Sequence, residues 1–201
     1  MNLDGYMFMI GEGRSKSKQL KFKPIGVVKG ETLDDRFHDK GAFQLSTFKW
    51  ESKKDTTAAN RADPTISLGA FSITKGIDNA TPTLFMANAI CAVFPGCHVY
   101  FRKAAGPKLS TFFHAVFSDV TIEDWQINFA AGVAEESITF RFDWCELNYY
   151  PQTTEGSRKK GDIANTRQFC TSKPESQDVP RVFRREDKSD GLQEGDLDFL
   201  R

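Results

Sequence analysis

The sequence predicts a mainly β protein, built as a barrel or a sandwich, with one short α-helix and a charged, flexible C-terminal tail. Three observations carry this reading. Apolar and polar residues alternate in several segments, most clearly where Ile138, Phe140, Phe142 and Trp144 interleave with Thr139, Arg141 and Asp143; a period of two belongs to a strand with one buried face. Only the stretch around Thr83–Ala92 carries helix signals at both ends, and one short helix among roughly seven strands leaves a barrel or a sandwich. The chain also holds 18 phenylalanines, and aromatic residues fit a pleated, half-buried surface.

In chain order, Tyr6–Ile10 is a continuous apolar run short enough for a buried strand, closed by Gly11-Glu12-Gly13. Arg14–Lys23 carries five lysines or arginines among polar residues and reads as an exposed loop. Gly11-x-Gly13 lacks the third glycine and the following helix of a nucleotide-binding turn. Ala42–Glu51 reads as a strand with Phe43, Leu45 and Thr47 on one face and Gln44, Ser46, Phe48 and Trp50 on the other. Ser52–Pro64 is a polar loop.

Phe71–Phe85 joins a strand to the helix. Phe71 and Ile73 alternate with polar neighbours, and Lys75-Gly76 and Asp78-Asn79 then supply turn chemistry. Thr81 is the expected N-cap, with Pro82 at a first helical position that needs no amide hydrogen. The helix is expected over Thr83–Ala92 and must stop by Pro95-Gly96. Leu84, Phe85, Met86, Ala87, Ala89, Ile90, Cys91 and Ala92 wrap nearly the whole cylinder, leaving Asn88 as the polar exception. A helix apolar all round is normally covered on both sides, so a second subunit is expected against it. His98–Lys103 and Leu109–Ser118 flank the hairpin signal Ala104-Ala105-Gly106-Pro107, and Val120–Phe129 and Ile138–Asn148 form a second pair of strands. Past Pro151 the chain turns charged and poor in apolar residues, so residues 1–151 are read as one domain and 152–201 as a mobile extension.

Composition excludes several classes. Lys plus Arg and Asp plus Glu balance at 27 each, without the basic excess of a nucleic-acid binder. No apolar run approaches the ~20 residues that span a bilayer. The amino terminus lacks the basic and apolar regions of a signal peptide, which predicts cytoplasmic synthesis without a cleaved leader. Cys91, Cys97, Cys145 and Cys170 show no paired spacing for zinc, and reduced thiols are expected. His38, His98 and His114 stand in a loop and on two strands, never at ligand spacing; His114, between Phe113 and Ala115, reads as a strand-face residue. Glu123-Asp124 and Glu135-Glu136 are neighbours that point opposite ways on a strand or are solvated in a turn, so neither makes an acid–base couple. With no G-x-S-x-G, P-loop or H-E-x-x-H segment either, no enzyme activity, metal or cofactor is expected.

Four blocks in one order carry a resemblance over roughly Leu3 to Gln152. Ile73-Thr74-Lys75-Gly76-Ile77-Asp78-Asn79-Ala80-Thr81-Pro82-Thr83-Leu84 is the most distinctive; Gly30-Glu31-Thr32 through His38 to Phe48-Lys49-Trp50 precedes it. Phe101-Arg102-Lys103-Ala104-Ala105-Gly106 and Glu136-Ser137-Ile138 through Tyr149-Tyr150-Pro151-Gln152 follow. Together they resemble the Hcp family, the tube proteins of bacterial type VI secretion systems. Against that pattern about Arg14–Lys29 looks inserted, and Ser52–Pro64 replaces a glycine-rich run.

The resemblance implies a closed or nearly closed β-barrel of two packed sheets, whose copies form hexameric rings stacked into a hollow tube. A contractile sheath would expel the tube behind a spike protein at its tip, with small cargo effectors in the lumen, so the cytoplasmic protein becomes a secreted one. Leu84, Phe85, Ala87, Ile90 and Cys91 are then ring-interface candidates; Glu31, Asp34, His38 and Asp55 are stacking-loop candidates; Lys49, where the family often has a small residue, is the lumen candidate. A phage-type tail-tube protein is the nearest alternative. A small-ligand barrel would also suit the phenylalanines, but it predicts a monomer and leaves the apolar helix unexplained.

Overall fold

Antiparallel pairing organises the whole molecule. The structure, a computed structural model, describes residues 3–15, 24–54, 66–105, 108–130, 132–151 and 164–170. Its elements are β1 (Leu3–Ile10), β2 (Glu12–Ser15), β3 (Ile25–Val27), a 3₁₀ turn (His38–Lys40), β4 (Phe43–Leu45) and β5 (Thr47–Lys54). There follow β6 (Ile66–Gly76), α1 (Thr81–Ala89), β7 (Ala92–Ala105), β8 (Lys108–Ala130), β9 (Val133–Arg141), β10 (Trp144–Tyr149) and β11 (Ala164–Cys170). The ladder runs β3-β2-β7-β8-β9-β6-β5, with β1 joining β7 to β4 and β10 joining β8 to β11. The expected mainly β chain with one short α-helix is therefore present. Among the described residues the sheet does not close: the ladder ends at β3 and β5. Ser46 alone separates β4, which pairs with β1, from β5, which pairs with β6, and its N–H donates to Thr74 O at 2.8 Å.

Cross-strand rows show why these residues form this sheet. Phe48, Ile73, Ile138 and Trp125 stand opposite one another across β5, β6, β9 and β8, as do Trp50, Phe71, Phe140 and Ile122. The intervening rows are Thr47-Thr74-Ser137-Gln126 and Lys49-Ser72-Thr139-Asp124. One face is thus apolar and the other polar, as the alternation requires. Phe71 centres the core, stacked on Phe117 at 4.3 Å and on Phe140 at 5.0 Å between ring centroids.

The two strands expected at Leu109–Ser118 and Val120–Phe129 are one long strand, β8. Asp119 takes φ 52° within it, and a bulge follows between Ile122 and Asp124; such irregularities bend a strand so that it serves two sheets. Its first half pairs with β7 and β10, its second with β9. Likewise Ile138–Asn148 divides into β9 and β10, with Asp143 N–H bonded to Ser118 O at 3.0 Å.

The helix begins earlier than expected and ends earlier. Ala80, not Thr81, is the N-cap, without a side-chain cap bond, because the Thr81 hydroxyl is engaged elsewhere. At the other end Cys91 takes φ 51°, and Ala92 through Gly96 continue as strand β7. The tail also departs from expectation: Ala164–Cys170 pairs antiparallel with β10 from Trp144↔Cys170 to Tyr149↔Ala164. The rest of 152–201 lies outside the described residues, as do residues 16–23 and 55–65 of the two polar loops. No helix among the described residues is long and apolar enough to cross a membrane.

Candidate functional site

A buried ionic joint fixes the helix to the sheet. Lys75 on β6 and Glu136 on β9 are ladder partners, and both side chains are fully buried with Lys75 Nζ 2.6 Å from Glu136 Oε1. Lys75 also donates to Asp78 Oδ1 at 2.6 Å and to Gly76 O at 2.8 Å. The Thr81 hydroxyl donates to Glu136 Oε1 at 2.7 Å and accepts from Asp78 N–H at 3.1 Å. Trp125 Nε1 donates to Glu136 Oε2 at 2.7 Å. Charges this deep persist only when paired and hydrogen-bonded. Here each carboxylate oxygen of Glu136 has a donor, so Lys75, Asp78 and Thr81 of the distinctive sequence block act as one structural unit.

From this joint an apolar strip leads to the surface. Trp125 packs against Phe85 at 5.1 Å between centroids. Ile127 and Phe129 follow Trp125 on the same face of β8 at alternate positions. That face is core further back, but here it runs beyond the core: Ile127 is 41% and Phe129 70% exposed, with Phe85 and Met86 each at 47%. Val133 at the tip of β9 is exposed too.

The predicted ring residues divide. Leu84, Ala87 and Ile90 turn into the protomer's own core, so α1 already has its cover on that side and these three offer no area to a partner. Phe85 and Cys91 are at the surface. The apolar wrapping of the helix thus reflects one side in the core and another in the exposed strip.

Of the stacking candidates, Glu31 is exposed and lines an open cleft with Leu33, Gln44, Ser46 and Ile77. His38 is exposed, its Nδ1 3.0 Å from Thr32 O, which braces the loop. Asp34 differs from expectation: its carboxylate is held by the buried Arg102 guanidinium, which also lies 5.7 Å from the Phe37 ring centroid, so it anchors the loop from within. Asp55 lies outside the described residues. Lys49 is exposed on the polar face, opposite Ser72.

His98 and His114 stand on strands as expected, but the fold brings the two together. His98 and His114 meet in a buried pair, Nδ1 to Nε2 at 2.8 Å, because β7 and β8 place His98↔Val116 and Tyr100↔His114 side by side. Burial, with Lys40 and the neighbouring imidazole as further like charges, holds His98 well below the usual imidazole value. Burial and Lys40 lower His114 to about 3. No group of three or more metal-ligating side chains occurs among the described residues. Glu135 and Glu136 point opposite ways on β9, as expected of strand neighbours, and Glu136 is the buried one. Its parity was the available signal: residues 136, 138 and 140 share a face, as do 71, 73 and 75.

Known proteins share this fold. The family model described as "Type VI secretion system effector, Hcp" matches residues 17–149. Protein hcp1 of Pseudomonas aeruginosa is 24% identical over 149 residues, covering 71% of this chain and 90% of that protein. A solved type six secretion system protein superposes with a TM-score of 0.65 at 21% identity, covering 84% of this chain and 96% of that one. Hcp1 from Salmonella typhimurium gives 0.59 at 17% identity, covering 85% and 96%.

Proposed function

The chain belongs to the Hcp family of type VI secretion proteins, and we propose that it works there as the tube subunit, six copies closing into a ring and rings stacking into a hollow tube. The observation that carries this reading is the exposed apolar side chains of Phe85, Met86, Ile127 and Phe129, borne by α1 and β8 where Phe85 packs on Trp125. A contiguous exposed apolar surface marks a contact site, and a head-to-tail contact that closes makes a ring, whereas one that stays open makes a filament. Phe85 and Cys91 then belong to the ring contact. Glu31 and His38, on the loop after β3, belong to stacking.

The polar rows of β5, β6, β9 and β8 suit a water-filled lumen. Ser, Thr and Gln side chains offer hydrogen bonds to varied cargo without a large apolar area to retain it, and Lys49 and Asp124 place one charge of each sign at the two ends of a row. In the ring the bent β4–β5 segment completes a nearly closed barrel over residues 1–151, with 152–201 as an extension. The protein acts mechanically, without catalysis or cofactor: made in the cytoplasm, it leaves by the type VI route with sheath, spike and effectors as partners. Light scattering after gel filtration tests the reading. Six times 22.6 kDa gives about 136 kDa, and electron microscopy should show rings with open centres. A protein found only as a monomer refutes it.

A further inference from the structure

The loop over residues 28–42 is clamped onto the outer face of β1, β7 and β8 by an aromatic stack with two imidazoles inside it. Phe37 lies 4.8 Å from the Tyr6 ring and 5.2 Å from Tyr100. Tyr100 stacks on His114 at 4.1 Å with the planes 6° apart, and Phe8 stacks on His98 at 4.9 Å. Gly30 and Thr32 N–H groups bond Gly41 O and Ala42 O, closing the loop base. Lys40 reaches back over the Phe8 ring at 5.8 Å.

The imidazoles are joined by one hydrogen bond, so one nitrogen donates and the other accepts. Two protonated rings would set donor against donor at 2.8 Å. One protonated ring could still donate to its neutral neighbour, but it would place a buried cation beneath the Lys40 ammonium, and both burial and Lys40 oppose it. The nearby carboxylates are committed. Asp34, from the loop, is held by Arg102 of β7, and Glu146 of β10 accepts from Asn148, the ladder neighbour of His114. From β1, Asp4 shares the face of Tyr6, whose phenol is kept protonated by burial and by Asp34 and Asp4. Among the described residues no carboxylate is bonded to either imidazole, so a proton arriving at the pair meets no partner charge there.

We propose that the His98–His114 pair is an acid-labile clasp for the 28–42 loop: neutral, it holds the aromatic stack shut, and protonated, it releases the loop while the core stays folded. Glu31 and His38 ride on this loop, so release would unstack rings in acid; that consequence rests on the tube reading, whereas the clasp belongs to the protomer and needs no ring.

Hydrogen exchange by the full-length protein, expressed as protection relative to intrinsic rates at each pH, tests it. The Gly30 and Thr32 amides should lose about tenfold or more in protection between about pH 7 and about pH 4.5, while amides of the β6–β9 ladder keep theirs. The double variant His98→Phe/His114→Phe keeps planar rings without protonation and should abolish the difference. If that variant does not fold, His114→Gln should move the release to a different pH. An unchanged loop, simultaneous opening of loop and β6–β9 ladder, or a variant with the wild-type acid response would each overturn the clasp. A protein that fails to form rings yet shows the loop response would sink the tube reading alone.

Discussion

Glu136→Gln removes one charge from the deepest ionic joint while keeping its shape. Lys75 and Glu136 are fully buried and 2.6 Å apart, and Lys75 has a second carboxylate, Asp78, at the same distance with 14% exposure. Removing one partner of a buried pair typically costs 3–5 kcal/mol, because the remaining charge is left uncompensated. Asp78 still balances Lys75 in the variant, and a Gln oxygen can still accept from Trp125 or Thr81. The lower end, about 3 kcal/mol, is therefore expected. For a chain of this length that corresponds to a fall in Tm of roughly 6–12 °C. Urea unfolding followed by tryptophan fluorescence, at one protein concentration, measures it. The double variant Lys75→Met/Glu136→Leu should cost clearly less than its two single changes added together, since neither charge is then stranded. A loss under about 1 kcal/mol, the worth of an exposed pair, would refute the claim that this joint holds the helix to the sheet.

Substitution of the apolar strip should separate assembly from folding. Phe129→Ser, at a position 70% exposed, should lower the assembled mass with little change in protomer stability, whereas Leu84→Asp, fully buried, should unfold the protomer; size and far-ultraviolet circular dichroism distinguish these, and the reverse pattern would dismiss the strip as a contact. Acid should weaken the fold through the imidazole pair. The folded-state values of His98 and His114 lie below the ordinary 6.5, so the unfolded chain binds more protons below that pH. Stability is complete above about pH 6.5 and declines toward about pH 3, by up to roughly 1.4 kcal/mol per pH unit for each imidazole. The urea midpoint should fall over this window, less so in His114→Gln, and an equal fall in both would exclude the pair as the cause. In the unassembled protomer carrying Phe129→Ser and Cys170→Ser, a thiol reagent should modify the exposed Cys91 and spare Cys97 and Cys145, which are buried, with burial raising the Cys97 thiol further; fast modification of all three would contradict the packed core.

Strand periodicity made most of the sheet legible, and the distinctive block made the family legible. What escaped was mostly polar. Opposed neighbours on a strand leave open which carboxylate faces the core, and only the parity of Glu136 with Ile138 and Phe140 puts it inside. The His98–His114 pair depends on the β7–β8 register, which includes a shift between Phe101 and Arg102 that nothing local in the sequence specifies. Asp119 looked like a break between two strands, yet a single residue with positive φ bends β8 without ending it. Thr81 has the chemistry of an N-cap and spends it on Glu136 and Asp78 instead, a tertiary contact overriding a local preference. β11 escaped because Asn165, Thr166, Arg167 and Gln168 show no apolar alternation that would mark a strand.

These missed contacts join the interior to the surface. Glu136 accepts from Trp125 with one oxygen and from Thr81 at the start of α1 with the other. Trp125 in turn supports Phe85, which α1 carries one turn after Thr81. A single buried carboxylate thus sets the spacing and tilt between the helix and the β8–β9 hairpin, the two elements whose exposed apolar side chains form the strip. Positional errors of an ångström matter little in a solvated face, but a contact repeated around a ring must close on itself, so each protomer has to present the same angle. An apolar core alone, which side chains can repack at small cost, would hold that angle loosely. Directional hydrogen bonds to a charge that cannot be left unpaired hold it tightly. On the ring reading the ionic joint therefore contributes geometric definition as well as stability, and the proposed repetition of the subunit gives a physical reason for the Lys75, Asp78 and Thr81 spacing.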